Sequence, residues 1–568
     1  MRVLPLWLAM LPLAAQPLLR VELRNGIPRA VVSHAATGEP VTDEHPAAAG
    51  ETLRVAASGI LGESWVLVNG ARTPAVAREE DLEFVLPAAA GGSFVEIAIA
   101  SAQGVGNAAT IPVRDAEDAL QLAASEVEAL VTRAALALDD ARVAIAVVDR
   151  AGRPLALFRR PHAGHEEVER ALSLARTGAF FSHNQAPLSS RTVRSISRIN
   201  FPEGIPNQPS GALYGIENSN RGCDLNTLFL PGRLVPRSTD ASGAGPGLGI
   251  ATVPGGLPLY RNGEALIGGI GVAAADANAA EFAAVAAVAG TPLFVKLPLA
   301  PPGAVFIDGF RLPYVAQVTR PPGAQPASEA GGVFLIGPLH GNAAPDEWLA
   351  GPRSSPTLDA AQVAGIVERA VARASRTRAV IRLPLGSRTR MVVAVTDLEG
   401  NVLGLYRMPD ATMFSIDVAV AKARNVVYFS GTGVDPRDLP GVPTGTAVTN
   451  RTLGFGGQPL FPSGILNSAP GPFFELYQYD LANPCTQGRQ ARGNNQSGIV
   501  FFPGSAPLYS NGRLVGGLGV SGDGVEQDDW VTAAGAEGFE APDAIRADQV
   551  FVRGVRLPYW KFPRNPEQ

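Results

Sequence analysis

Short apolar runs alternate with turn-forming residues over the first hundred positions, a pattern typical of β-strands rather than helices. ETLRVAASGIL, ESWVLVNG and LEFVLP have this character, and Asn69-Gly70 is a hairpin signal. Helical spacing of apolar residues is missing from this stretch. The pattern therefore predicts a small all-β module over residues 20–115, an Ig-like β-sandwich.

Beyond this stretch the apolar spacing changes, and helices alternate with hairpins. The predicted order is a helix over 115–140, a hairpin over 143–158, a helix over 166–181, a long loop over 184–254, a hairpin over 257–272 and an alanine-rich helix from about 278. Helices alternating with hairpins indicate an antiparallel sheet covered by helices. We predict an α+β domain over residues 116–315.

The same pattern occurs again in the second half of the chain. Val147–Ser182 aligns without a gap with Val395–Ser430, so that Asp149 lies opposite Asp397. Two further motifs are repeated later in each half: PGGLPLYRNGEALIGGIGV corresponds to PGSAPLYSNGRLVGGLGV, and FIDGFRLPY corresponds to FVRGVRLPY. The chain is therefore a tandem duplication with a second α+β domain over 357–562. A segment rich in Pro, Gly and Ala predicts a linker over 316–356, and Val380–Leu385 predicts a strand found only in the second copy.

The composition supports packed domains and excludes several classes of function. Of the 568 residues, 46% are hydrophobic and 17% charged, which argues against a disordered chain. The net charge of −5 provides no electrostatic footprint for nucleic acid. No stretch reaches the roughly 20 apolar residues of a transmembrane helix. Residues 1–15 combine Arg2, an apolar run and small residues, which predicts a signal peptide and an exported bacterial protein, periplasmic or extracellular.

The two cysteines, Cys223 and Cys485, lie one in the long loop of each copy. In an oxidising compartment they would be able to pair and join the copies. The alternative is two separate thiols, because the sequence does not fix their distance.

Motifs in both copies resemble the GlcG/HbpS haem-binding family, whose pattern runs VVD-x-x-G, RMDGA-x3-S-x3-A-x2-KA-x-T, GG-x-P and GxIGVSG. The second copy matches at Asp397, Gly400, Arg407-Met408, Ala411, Ser415, Ala419, Lys422-Ala423 and Gly519–Gly522. It departs from the family at Pro409-Asp410 and at Asn425. The first copy keeps Asp149, Gly152, Arg159 and Thr177 but has Leu174 in place of the lysine.

This resemblance implies two profilin-like or PAS-like domains that would pair as an internal pseudo-dimer. It also implies binding of haem, or of iron, as in exported members of the family. The N-terminal stretch loosely resembles TIG/IPT modules, which usually space or attach other domains. We assign that module no chemistry.

Candidate haem contacts follow from the resemblance and from what a haem site requires, namely an axial donor and cations near the propionates. No histidine lies beyond His340, so the second copy would need another donor. The candidates in the second copy are Arg407, Met408, Met413, Ser415, Lys422 and Arg424, and in the first copy Arg159, Arg176 and Thr177. The alternative is that the cations form structural ion pairs, the methionines fill core and Thr177 bonds its own helix backbone.

Two further groups are candidates for binding iron or another divalent metal. His162 and His165 begin a helix on which His165 and Glu169 share a face, so two imidazoles and a carboxylate would be available. The alternative is exposed, solvated histidines. Glu526, Asp528 and Asp529 precede or begin another helix, where acidic residues also match the helix dipole.

Catalytic motifs are missing from the sequence. There is no G-x-S-x-G elbow and no phosphate-binding GxxxxGK[ST] loop, and a Ser-His-acid triad cannot form within the histidine-free second copy. The sequence therefore favours a non-enzymatic binding protein for haem or a related small ligand. Two alternatives stay open: a scaffold protein with degenerate pockets, and an enzyme acting on a small organic acid or peroxide.

Overall fold

A computed structural model describes residues 16–24, 27–60, 62–78, 81–87, 94–114, 121–223, 225, 247–262, 265–294, 304–493 and 495–567. The predicted signal peptide at residues 1–15 lies outside the described residues, and its cleavage and the export that it implies stay predictions. Among the described helices, none combines the length and apolar character needed to cross a membrane.

The N-terminal part is all β. The strands among its described residues are β1 (Leu18–Leu19), β2 (Val21–Arg24), β3 (Ile27–Ala30), β4 (Val32–His34), β5 (Thr52–Ser58), β6 (Ser64–Val68), β7 (Ala71–Arg78), β8 (Asp81–Val85), β9 (Phe94–Ser101) and β10 (Gly104–Pro112). Asn69 and Gly70 both have positive φ and make the tight turn between β6 and β7. The description of this module as Ig-like stays a prediction.

The first copy is an antiparallel sheet between helices, in the strand order β13–β14–β11–β12–β17. Its elements are α1 (Ala124–Ala137), β11 (Ala144–Asp149), β12 (Pro154–Arg159), α2 (His165–Phe181), α3 (Ser190–Ser197), β13 (Gly256–Arg261), β14 (Ala265–Ala273), α4 (Ala277–Val288) and β17 (Val333–Ile336). Side chains alternate along β11. Ile145 and Val147 pack with α1 and α4, whereas Ala146 and Val148 join the cluster that contains α2.

The second copy repeats this arrangement, with strands in the order β18–β20–β19–β22–β21. Its elements are β18 (Glu347–Ala350), α5 (Ala360–Ala374), β19 (Met391–Thr396), β20 (Val402–Arg407), α6 (Ser415–Ser430), α7 (Asn450–Gly456), α8 (Phe474–Ala482), β21 (Ser505–Ser510), β22 (Arg513–Gly522) and α9 (Val525–Gly535). The α+β class is confirmed. Two short hairpins accompany the copies, β15 (Phe306–Ile307) with β16 (Phe310–Arg311) and β23 (Phe551–Val552) with β24 (Val555–Arg556).

The duplicated glycine motif explains how closely α2 and α6 approach their sheets. A Cβ atom on Gly271 would lie 2.1 Å from the carbonyl oxygen of Ala171 in α2, and one on Gly519 would lie 2.0 Å from that of Ala419 in α6. No side chain fits at these distances. The glycines therefore let each helix backbone lie directly on its sheet.

The segment predicted as a linker contributes one strand to each sheet. β17 pairs with β12 in the first copy, and β18 pairs with β20 in the second. β18 is mostly buried, and Arg29 of the N-terminal module donates to Glu347 at its start (2.9 Å). The segment thus also connects the second copy to the β module.

Two local predictions were wrong. Val380–Leu385 is irregular rather than a strand, and it delivers the buried side chain of Arg382 into the interior. The two long loops are not free of regular structure, since the first contains α3 and the second contains α7 and α8. Ser189 caps α3 and Thr449 caps α7 through their hydroxyls, which accept from the backbone of Thr192 and Thr452.

The two copies pack directly against one another. Phe181, at the end of α2, stacks on Phe414, which precedes α6, with ring centroids 4.1 Å apart. The backbone amide of Met413 donates to the carbonyl of Phe180 at 3.1 Å. Cys223 and Cys485 are joined by a disulfide across the two loops, with Cα atoms 5.4 Å apart. One hydrophobic cluster contains residues of both copies.

Candidate functional site

Lys422 in the middle of α6 is fully buried and has internal partners. Its Nζ donates to the carbonyl of Val520 (2.7 Å) and to Asp528 Oδ2 (3.0 Å), and it lies over the ring of Phe502. Burial lowers the pKa of Lys422 and raises the pKa of Asp528 to about 7. Both groups are therefore occupied in holding α6 and α9 to the sheet.

Arg407 and its neighbouring methionines are likewise enclosed. The guanidinium of Arg407 pairs with Asp346, and its Nε donates to the carbonyl of Ala411 at 3.0 Å. Met408 Sδ accepts from the amide of Met391 at 3.3 Å, and Met413 is fully buried beside the first copy. These sulfur atoms are core rather than exposed donors.

Arg424 and Ser415 also have partners from distant parts of the chain. Arg424 Nε donates to the carbonyl of Gly400 (2.9 Å), and its Nη2 donates to the carbonyl of Leu225 in the first copy (2.8 Å). Ser415 Oγ lies 2.9 Å from Ser521 Oγ. In the second copy the interior between sheet and helix is thus filled by side chains that bind one another.

The first copy repeats this pattern. Arg159 donates to the carbonyl of Ala163 at 3.1 Å, and Arg176 Nε donates to that of Gly152 at 3.1 Å. Thr177 Oγ1 bonds the carbonyls of Ser173 (2.9 Å) and Ala251 (2.8 Å). A threonine hydroxyl that bonds its own helix is the ordinary structural role.

Neither candidate metal group is assembled. His162 and His165 are exposed whereas Glu169 is buried. Within the described ranges, no three His, Cys, Asp or Glu side chains are grouped so as to hold a metal ion.

In the acidic turn each carboxylate faces its own cation. Glu526 pairs with Lys561, Asp528 with Lys422 and Asp529 with Arg451. Asp528 and Asp529 are therefore buried in structural contacts, whereas the Glu526–Lys561 pair is partly exposed.

A buried cluster of charged side chains lies where the β module and the two copies meet. Sequence analysis did not identify this cluster. Arg382 donates to Asp523 (2.8 Å), to Asp410 (2.6 Å) and to His183 Nδ1 of the first copy (3.0 Å). Arg390 pairs with Glu96 of the β module at 2.7 Å. Burial raises the pKa of Glu96 to about 7 and lowers the pKa of His183.

Two matching loop segments interlock beside this core. FPEGIPNQPSG (residues 201–211) in the first copy corresponds to FPSGILNSAPG (residues 461–471) in the second. Asn200 donates to the carbonyl of Gly464 at 3.1 Å, and the amide of Leu466 donates to Asn207 Oδ1 at 2.9 Å. Sequence analysis missed this repeated segment, although its shared Phe-Pro, Gly and Asn positions are visible in the sequence.

An open cleft of about 380 Å³ lies between the interlocked loops and the second copy; we call it the inter-repeat cleft. Its lining is mainly apolar and aromatic, with two basic side chains: Ser210, Gly211, Ala212, Tyr214, Arg451, Gly454, Phe455, Gln458, Ser463, Phe501, Phe502, Pro503, Val525, Pro558 and Lys561. Most of these residues lie in or beside the loops, where the family pattern provides no motif. This is why the sequence did not identify the cleft.

Comparison with known families gives one match that covers well over half of the chain. The model of the family described as haem degrading protein HbpS-like matches residues 115–289 and 358–537, one segment in each copy.

Similarity to individual proteins is weaker. The corrinoid adenosyltransferase PduO of Citrobacter freundii is 27% identical over 183 residues, 32% of this chain and 41% of that protein. The chain thus spans about two fifths of that relative's length. An uncharacterized 15.0 kDa protein from the dhaT-dhaS intergenic region of the same organism is 29% identical over 138 residues, 24% of this chain and 68% of that protein. The crystal structure of a PduOC:heme complex aligns with 33% of this chain and 97% of its own, at 22% identity and a TM-score of 0.21.

Proposed function

The chain belongs to the haem degrading protein HbpS-like family, matched by both of its copies, and from this membership we propose that it is a non-enzymatic binding protein for haem or a related small ligand. The family match is the observation that carries the proposal. We propose further that the protein is exported, which its N-terminal sequence pattern and the joined Cys223 and Cys485 support.

The inter-repeat cleft is the ligand site in this proposal. The candidate haem contacts between the sheet and the helix of each copy are already bonded to other protein groups. A ligand there would have to break buried ion pairs such as Lys422–Asp528, at a cost of several kcal/mol. The cleft demands no such disruption. Its aromatic walls fit a flat macrocycle, and Arg451 and Lys561 fit the carboxylates that such a macrocycle carries.

A non-enzymatic role fits the side chains that face the cleft. No carboxylate, histidine or cysteine is among the described residues that line it, so it offers no acid–base pair or thiol nucleophile. If bound there, haem would supply its own redox and ligand-binding chemistry, and the chain would supply apolar contact and charge.

A scaffold role is the second candidate, and the filled interiors of both copies favour it. Arg407 and Arg424 of the second copy and Arg176 of the first all donate to backbone carbonyls inside the protein. In that case the interlocked loops would present a partner surface and the protein would bind no haem.

Titration of the purified protein with hemin separates the two roles. The binding proposal expects a Soret shift that saturates, accompanied by quenching of tryptophan fluorescence, because Trp560 is adjacent to Lys561 in the chain. Serum albumin and lysozyme serve as binding and non-binding controls. An absorbance change that rises linearly with hemin, as for lysozyme, would contradict the proposal and leave the scaffold role.

A further inference from the structure

We propose that the inter-repeat cleft recognises flat conjugated molecules that carry carboxylates, and that it holds them by ring contacts and charge, independently of any metal at their centre. This inference rests on the proposed function and specifies the ligand class of the same site. It rests on the aromatic lining of the cleft, on its two cations and on the lack of histidine, cysteine and methionine among its described lining residues.

Aromatic rings form the walls from both copies. Phe455 lies at the second-copy side, half-buried and edge-on to Phe461 with ring centroids 5.1 Å apart. Phe501 and Phe502, each 2% exposed, lie behind the cleft, and Tyr214 of the first copy, which is also buried, contributes to its lining. Tyr214 stacks on Tyr477, with centroids 5.2 Å apart. Among these lining rings Phe455 is the one that offers apolar area to a planar ligand, and the buried rings behind it hold it in place at small entropic cost.

Close packing fixes the residues behind the cleft. A Cβ atom on Gly454 would lie 2.1 Å from the carbonyl oxygen of Phe501, and one on Gly457 would lie 2.8 Å from the Phe501 ring. Helix α7 can therefore approach Phe501 only because these positions are glycine. This packing buries Phe501 and fixes the backbone next to Phe455.

Two cations provide the charge. Arg451 uses Nε for Asp529 and its Nη2 for the carbonyl of Val525 (3.5 Å), whereas its Nη1 makes no hydrogen bond with any described residue. Lys561 pairs with Glu526, but its side chain is 66% exposed. Exposed pairs of this kind contribute about 0–1 kcal/mol, so a ligand carboxylate can replace Glu526 at little cost.

The described lining of the cleft lacks the side chains that usually bind haem iron. Its described lining residues include no histidine, cysteine or methionine. The one phenol, Tyr214, has its pKa held above the usual value by burial and by its contact with Tyr477, so it stays protonated and is a poor iron ligand. The usual haem-iron ligands are therefore missing from the described lining, and the ring system and its carboxylates have to be recognised instead.

The experiment compares hemin with iron-free protoporphyrin IX, both titrated by quenching of tryptophan fluorescence. Wild type is expected to bind the two with dissociation constants within about threefold of each other. Phe455→Ala and Lys561→Glu are expected to weaken both by about tenfold or more, a loss of roughly 1.4 kcal/mol. Phe551→Ala and Arg513→Glu, which change an exposed phenylalanine and an exposed arginine outside the cleft, serve as matched controls. Circular dichroism checks that each variant is folded.

The possible outcomes distinguish a failure of this inference from a failure of the proposed function. If hemin binds and protoporphyrin IX does not, the metal is recognised, and the inference is wrong while the proposed function stands. If both bind but the two cleft variants behave as their controls do, the ligand lies elsewhere and the inference is again wrong. If wild type binds neither, the proposed function itself fails.

Discussion

Lys422 shows how a residue can match a family pattern and still have a structural role. Its ammonium is 0% exposed, and its partners come from β22 and α9, about a hundred residues away in the chain. Arg407 pairs with Asp346 in the segment before α5. The family pattern predicted Lys422 and Arg407 as ligand contacts, but it could not predict that both would meet an internal acid.

Replacing Lys422 by methionine should destabilise the protein without affecting haem binding. The change leaves Asp528 buried without its cation, which costs about 3–5 kcal/mol. Because burial raises the pKa of Asp528 to about 7, the loss should be smaller at pH 5, where this carboxyl is protonated, than at pH 8. Urea denaturation measures both values.

The matched control is Arg513→Met on the exposed surface of β22, which should change stability by less than about 0.5 kcal/mol. A Lys422→Met protein that unfolds like wild type but has lost hemin affinity would instead place Lys422 in the ligand site.

Stability should fall as pH rises from about 5 to about 8. Burial raises the pKa values of Glu96, Asp417 and Asp480 to about 7. The folded state keeps these protons to higher pH than the unfolded chain does. The stabilisation is thus complete below pH ~4.5 and is lost as pH passes through about 7. Glu96 alone contributes roughly 3 kcal/mol.

Glu96→Gln tests this dependence because glutamine has nearly the same shape and does not titrate. The slope of unfolding free energy against pH should become shallower in the variant over this range, with urea midpoints measured at each pH. Equal slopes in wild type and variant would show that Glu96 is not protonated in the folded protein.

At the scale of elements, the duplicated helices and hairpins were predictable, whereas the loop helices were not. α2 and α6 have long apolar faces, but α3 and α7 are short, and contacts far along the chain hold their starts. Thr449 Oγ1 donates to the carbonyl of Tyr559 at 2.6 Å. Helices this short are marginal without tertiary contacts, so local pattern alone does not reveal them.

The disulfide should stabilise the paired loops. Replacing both Cys223 and Cys485 by serine removes a link across 262 residues of sequence separation, which should lower the free energy of unfolding by about 2–5 kcal/mol. Thermal unfolding of the double variant and of reduced wild type should show the same lowered midpoint. Identical midpoints for oxidised wild type and the double variant would contradict a stabilising link.

At the scale of the whole molecule, duplication has produced two unequal copies that act as one body. Their cores meet at Phe181 and Phe414, and the charge cluster around Arg382 contains His183 of the first copy and Asp523 of the second. The repeated motifs predicted the duplication and the similar sheets. The composite cleft was beyond prediction, because it forms where loop segments of the two copies meet, and they meet only after the copies have packed.

The number of ligands bound per chain is the most direct test of this account. A cleft built from Tyr214 of one copy and Phe455 of the other exists once in the described molecule, although the family domain occurs twice. Isothermal titration with hemin, with native mass spectrometry as a second count, should give one saturable site per 568-residue chain. Two equivalent sites per chain, one for each copy, would contradict it.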